Sequence, residues 1–154
     1  MNKYVYLLYG DAYEEYIMDA VRDKEDAFCF KPFCSNVEKN IQIFHNARVL
    51  NKKVELPFKK IWFKRAVRGM DICREDKIFF LLYESFHLAY SKKFLQFLQN
   101  KYPHCKLIFM YLNPVTKLIY DKLKKVFSCY NAVITFNEKD ARNHNLLYMP
   151  YQPY

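Results

Sequence analysis

Apolar residues fall along this chain in short unbroken runs, separated by stretches where they recur every three or four positions. Residues 3–9 hold Val, Leu and Tyr with little polar alternation, and the run stops at Gly10 and Asp11. A strand covered on both faces in a parallel sheet has this character. Over residues 11–22 the positions Tyr13, Ile17, Ala20 and Val21 have helical spacing, and residues 27–30 form a second short apolar run ending at Pro32. The opening is therefore β-α-β.

Ser35 and Glu38 make an S-x-x-E capping box, and Val37, Ile41 and Phe44 then share one face of a helix reaching to about Val49. Pro57 opens the next helix, and Gly69 closes it after Arg68. Residues 77–84 form a further strand through Ile78, Phe79, Phe80, Leu81 and Leu82, followed by a helix carrying Phe94, Leu95 and Leu98 that stops at Tyr102 and Pro103. Residues 105–112 repeat the strand pattern. Asn113 and Pro114 are expected to cap a helix whose Val115, Leu118, Ile119, Leu123 and Val126 face inward. Residues 132–136 are a buried strand ending at Asn137, followed by a short helix through Asp140 and a brief strand at 147–149.

Strands that alternate with helices predict a mostly parallel sheet with right-handed crossovers and helices on both faces. The expected fold is a three-layer α/β/α Rossmann-like domain occupying all 154 residues. Sheets of this kind bind ligands beyond the carboxyl ends of their strands. That edge receives Gly10, Asp11, Glu84, Ser85, His87, Asn113, Asn137 and Glu138. Asp11, Asn113 and Asn137 are also well suited to capping the helices that follow them, which is the simpler use of each. Glu84 and His87 form the more reactive pair: a strand-end carboxylate can act as a base and a nearby imidazole can orient it. With Asp11 they are the catalytic candidates; Gly10, Ser85, Asn113, Asn137 and Glu138 are the substrate-binding ones.

Composition narrows the chemistry. Aromatic residues make up 19% of the chain, with 14 Tyr and 14 Phe, so an aromatic core rimmed by tyrosine is expected. With only two glycines, the chain has neither the G-x-G-x-x-G dinucleotide fingerprint nor the P-loop, and no cofactor is expected. His45, His87, His104 and His144 have no ligand spacing, so no metal is expected either. Five cysteines without a C-x-x-C pair, and no signal-like N-terminal stretch, point to reduced thiols and a cytoplasmic chain. The longest apolar run is well short of the ~20 residues that span a bilayer.

The formal charge of +9 favours an anionic partner. Residues 57–68 interleave Phe58, Ile61, Trp62, Phe63 and Val67 with Lys59, Lys60, Lys64, Arg65 and Arg68. A helix of that kind either rests on the inner face of an anionic membrane or packs its aromatic side into a protein core. Nucleic acid is the less favoured partner because no recognition motif accompanies the charge, although aromatic side chains can act as stacking platforms.

The segments KYPHCKLIFMYLNP (101–114), YNAVITFNEKD (130–140) and LYMP (147–150) together resemble the N-terminal half of bacterial glycosyltransferases of GT-B fold that serve polysaccharide or lipopolysaccharide synthesis. In that group one strand ends in a hydrophobic-Asn-Pro turn, and a later strand ends in Phe before a short acidic helix, as at 136–141 here. The resemblance implies a domain that holds an anionic or lipid-linked saccharide acceptor while a second Rossmann-like domain or subunit binds the sugar-nucleotide donor. A chain ending at Tyr154 would then be inactive alone. The resemblance carries no catalytic residue across. A binding or regulatory α/β module without catalysis is the alternative.

Overall fold

The computed structural model describes residues 1–8, 14–32, 59–83 and 92–150. Its strands are β1 (Asn2–Leu7), β2 (Ala27–Phe30), β3 (Lys77–Tyr83), β4 (Lys106–Tyr111), β5 (Ala132–Thr135) and β6 (Leu147–Tyr148). They form one sheet in the order β2-β1-β3-β4-β5-β6, and every neighbouring pair is parallel. The described helices are α1 (Glu14–Val21), α2 (Lys59–Ala66), α3 (Lys92–Lys101), α4 (Lys117–Leu123) and α5 (Glu138–His144), with a 3-10 helix (Lys124–Cys129) continuing α4.

The strand order determines where the helices lie. β2 sits on one side of β1 and all later strands on the other, so right-handed crossovers put α1 on one face and the remaining helices on the opposite face. The result is the three-layer α/β Rossmann-like arrangement. On the more heavily covered face, Val5, Phe80 and Leu107 are in register across three strands and fully buried. Phe63 of α2 meets Phe94 of α3 with ring centroids 5.3 Å apart, Phe80 meets Tyr102 at 5.8 Å, and Phe109 meets Phe127 of the 3-10 helix at 6.4 Å. On the other face Tyr4 stacks on Phe79 at 5.0 Å.

Tyrosine is not confined to the rim. Tyr83, Tyr102 and Tyr111 are buried with the phenylalanines. Burial, with the neighbouring Cys105 thiol adding to it, pushes the Tyr102 phenol above its ordinary value. Burial likewise lifts the Cys105 thiol to about 11. That thiol is therefore protonated at neutral pH and packs as a small hydrophobe.

Two local expectations are corrected. Asn113 and Pro114 do not cap α4; Thr116 does, its Oγ1 accepting from the Ile119 amide at 3.3 Å. The hydroxyl next to the first helical residue reaches the orphan amide three positions on, and Asn113 lies too far upstream for that. Leu118 is 67% exposed: Ile119 and Leu123, four apart, share the face against Phe109 and Tyr111, and Leu118 stands about 100° around the helix from Ile119. The Ser35 capping box, its helix and Pro57 lie outside the described residues. Gly69 ends the turn after α2 with φ +86°, a conformation that suits glycine.

The amino edge of the sheet is tied by Asp76. Its Oδ2 accepts from the Cys73 amide at 3.0 Å and lies 3.7 Å from Lys3 Nζ, while Oδ1 is 3.9 Å from the terminal amine. The Cys73 N–H bond, followed by the nearby Lys3 and terminal amine charges, holds this carboxyl below its ordinary value against the opposing effect of desolvation. A depressed folded-state value means stability that is present above the unfolded carboxylate value and lost as pH falls through the folded one. Asp76→Asn should therefore lower the melting temperature at pH 7, and the gap to the parent should close below about pH 4, where the unfolded carboxylate titrates. Thermal melts from pH 7 down to pH 2 check this; a gap that persists unchanged at pH 2 would contradict it.

Candidate functional site

The carboxyl edge of the sheet is organised by two strand-to-helix steps that lie side by side. β4 leads through Asn113, Pro114 and Val115 to Thr116, and β5 leads through Phe136 to Asn137, the N-cap of α5. Thr135, fully buried at the end of β5, accepts at Oγ1 from the Asn137 amide at 3.2 Å. Asn137 Oδ1 in turn accepts from the Asp140 amide at 3.2 Å, which satisfies a first-turn donor of α5.

Asp140 joins the two steps. Its carboxylate Oδ2 accepts from the Val115 amide at 2.8 Å across 25 positions of sequence, and the side chain is only 9% exposed. A buried carboxylate receiving a backbone N–H makes a charge-assisted bond, stronger than one between neutral groups. It draws the loop after β4 onto the first turn of α5. Tyr120 of α4 stacks on His144 of α5 at 4.2 Å, which holds the same two helices together farther along.

Three of the residues singled out by sequence are thereby brought to one edge. Asn113 is exposed on the loop after β4, Asn137 is exposed at the start of α5, and Glu138 follows it. Asn137 performs the capping role expected of it. Its Oδ1 makes the capping bond, and no hydrogen bond of its Nδ2 occurs among the described residues. Glu138 accepts from Arg142 in an i,i+4 ion pair at the surface of α5. Gly10, Asp11, Glu84, Ser85 and His87 lie outside the described residues.

Helix α2 uses its apolar positions internally. Phe63, Ala66 and Val67 are buried in the core, leaving Ile61, Lys64, Arg65 and Arg68 at the surface, while the side chains of Lys59, Lys60 and Trp62 lie outside the described set. Phe63 and Val67 are thus committed to the core and unavailable for insertion into a membrane. Among the described residues no helix is long and apolar enough to cross a membrane, and no three His, Cys, Asp or Glu side chains gather to hold a metal ion.

Sequence reasoning passed over Asp140 and Thr135. The signal for Asp140 is its position three residues after the Asn137 cap, where an acidic side chain completes a capping arrangement. Its use on the Val115 amide instead comes from tertiary structure. What this edge provides is two exposed carboxamides, those of Asn113 and Asn137, on neighbouring loops that Asp140 ties together. No protein-family model, curated protein or solved structure matches this chain.

Proposed function

We propose that this domain is the acceptor-side half of a glycosyltransferase of cell-surface polysaccharide or lipopolysaccharide synthesis, working with a donor-binding Rossmann-like domain or subunit. The observation that carries the reading is the joining of the Asn113 and Asn137 steps by Asp140 at the carboxyl edge of an all-parallel sheet. These are the segments in which the chain resembles such enzymes, and this is the edge where sheets of this class take their ligands. The carboxamides of Asn113 and Asn137 are suited to donate to and accept from saccharide hydroxyls. In this reading Glu84 or Asp11 takes the proton from the acceptor hydroxyl as that oxygen attacks the anomeric carbon of the donor sugar. The nucleoside diphosphate departs with the bonding electron pair, and His87 orients the base.

The test is a radiolabelled sugar-transfer and binding assay. The chain alone should bind a polyprenyl-phosphate-linked saccharide and transfer no sugar to it from a nucleotide sugar. If it binds RNA or DNA oligonucleotides at low salt and no saccharide, the glycosyltransferase reading gives way to a nucleic-acid-binding one.

The acceptor of such an enzyme lies at a membrane surface, and the formal charge of +9 suits anionic lipid. Neutralising Lys59, Lys60, Lys64 and Arg65 to glutamine should weaken retention on anionic liposomes by roughly 1 kcal/mol for each cation removed. Unchanged sedimentation of that variant would remove the membrane contact from the proposal.

A further inference from the structure

At the edge of the sheet opposite the site just described, the C-terminal ends of α2 and α3 and the loop entering β3 surround an open cavity of about 620 Å³. Three cations line it, Arg68, Arg74 and Lys101, with the Asn100 carboxamide among them and no acidic side chain in the lining. None of the three cations is within 4 Å of a carboxylate among the described residues. Val67, Met70 and Tyr102, all buried, provide apolar wall beside the charged groups.

Ordinary surface electrostatics accounts for part of this. Arg68 and Lys101 stand at helix C-terminal ends, where the helix dipole favours a cation. Arg74 has no such reason, since it sits in the turn before β3. Three like charges around one cavity make it a region of positive potential that favours an anion. Elsewhere on the same edge a cation does have an acidic partner: Lys3 is paired with Asp76.

We infer that this cavity is a binding site for an organic phosphate, with the phosphate on Arg68, Arg74 and Lys101 and the organic part against Val67, Met70 and Tyr102. Guanidinium groups present forked donors that match phosphate oxygens, and three positive charges suit a group carrying two negative charges better than a single carboxylate. The volume lies within the range of small-ligand sites and exceeds what a bare phosphate fills. The site is separate from the carboxyl edge and does not depend on the acceptor reading.

Amide-resolved NMR titrations of the whole chain with inorganic phosphate, a sugar 1-phosphate and vesicles containing anionic phospholipid test it. Saturable shifts at Gly69, Met70, Arg74, Asn100 and Lys101 are expected with the sugar phosphate, and weaker ones with inorganic phosphate. Vesicles that broaden these same amides, while the soluble phosphates leave them unmoved, would assign the phosphate to a lipid headgroup. Arg74→Gln and Lys101→Gln change exposed side chains outside α2's membrane-facing set, and each should weaken binding about tenfold or more, as expected for losing a hydrogen bond between charged groups. No localised shift with any of the three probes, or parent-like binding by the double variant, would overturn the inference. Failure of saccharide binding at the opposite edge would leave these results unchanged.

Discussion

Phe80→Ala should lower the unfolding free energy by about 3–5 kcal/mol, the largest loss expected from a single substitution among the described residues. Phe80 lies in the central strand β3 with no exposed surface, in register with Val5 on one side and Leu107 on the other. Its ring meets Tyr102, just past α3, at 5.8 Å, so truncation opens a cavity between the sheet and the helix layer above it. Because domains of this size are stable by only about 5–15 kcal/mol, the variant should sit close to its unfolding midpoint at mild denaturant concentration. Urea denaturation followed by circular dichroism measures the change. A loss under about 1 kcal/mol, the scale of a tolerated core swap, would mean that the helix layer does not pack on this face.

Asp140→Ala is expected to have the next largest effect, about 1–3 kcal/mol, because it leaves the Val115 amide without its acceptor in a part-buried position. The loss has a spatial signature. Amides of Asn113, Val115 and Thr116 should shift together with those of Asn137 and Ala141, while β1 and β2, at the far end of the sheet, stay unchanged. Asp140→Asn keeps an oxygen acceptor and should recover part of the stability and most of the amide positions. If Asp140→Ala moved only its own neighbours in α5, the two strand-to-helix steps would be independent, and the candidate site would lose its common base.

The fold was legible because the pattern that announces a parallel sheet is strong here. Residues 27–30 were marked by their apolar run and appear unchanged as β2, and the runs in β3 and β4 are nearly continuous because both faces of those strands are covered. Gly69 could be placed from its position after a basic last turn, and it does adopt the left-handed conformation. The details that were misplaced depend on choices between nearby residues. Asn113 and Thr116 are both good caps, and the one used depends on the path of a loop that Asp140 ties to α5 at Val115; Leu118 is exposed because the inward face is the one shared by Ile119 and Leu123. Composition points to tyrosine at the rim of an aromatic core, but Tyr83, Tyr102 and Tyr111 are buried in it.

The candidate site was legible only as a location. Parallel topology by itself delivers Asn113, Asn137 and Glu138 to one edge, and a sequence-level capping argument was enough to explain Asn137. That Asp140 spans 25 positions to hold Val115 has no local signature, because the spacing is set by the packing of two crossovers. The organic-phosphate cavity was illegible for a related reason: Arg68 and Arg74 lie on the connection from α2 to β3 and Lys101 ends α3, and the two segments meet only in the folded domain.

The central claim is that the carboxyl edge receives a saccharide acceptor, and the most direct measurement is an amide-resolved NMR titration of the chain with a polyprenyl-phosphate-linked saccharide in detergent micelles, with empty micelles as reference. The account predicts saturable shifts at Asn113, Val115, Asn137 and Glu138, abolished or strongly reduced in an Asn113→Ala, Asn137→Ala double variant that retains the parent's spectrum elsewhere. Saccharide-dependent shifts confined to other parts of the sheet, or none beyond those caused by empty micelles, would contradict it.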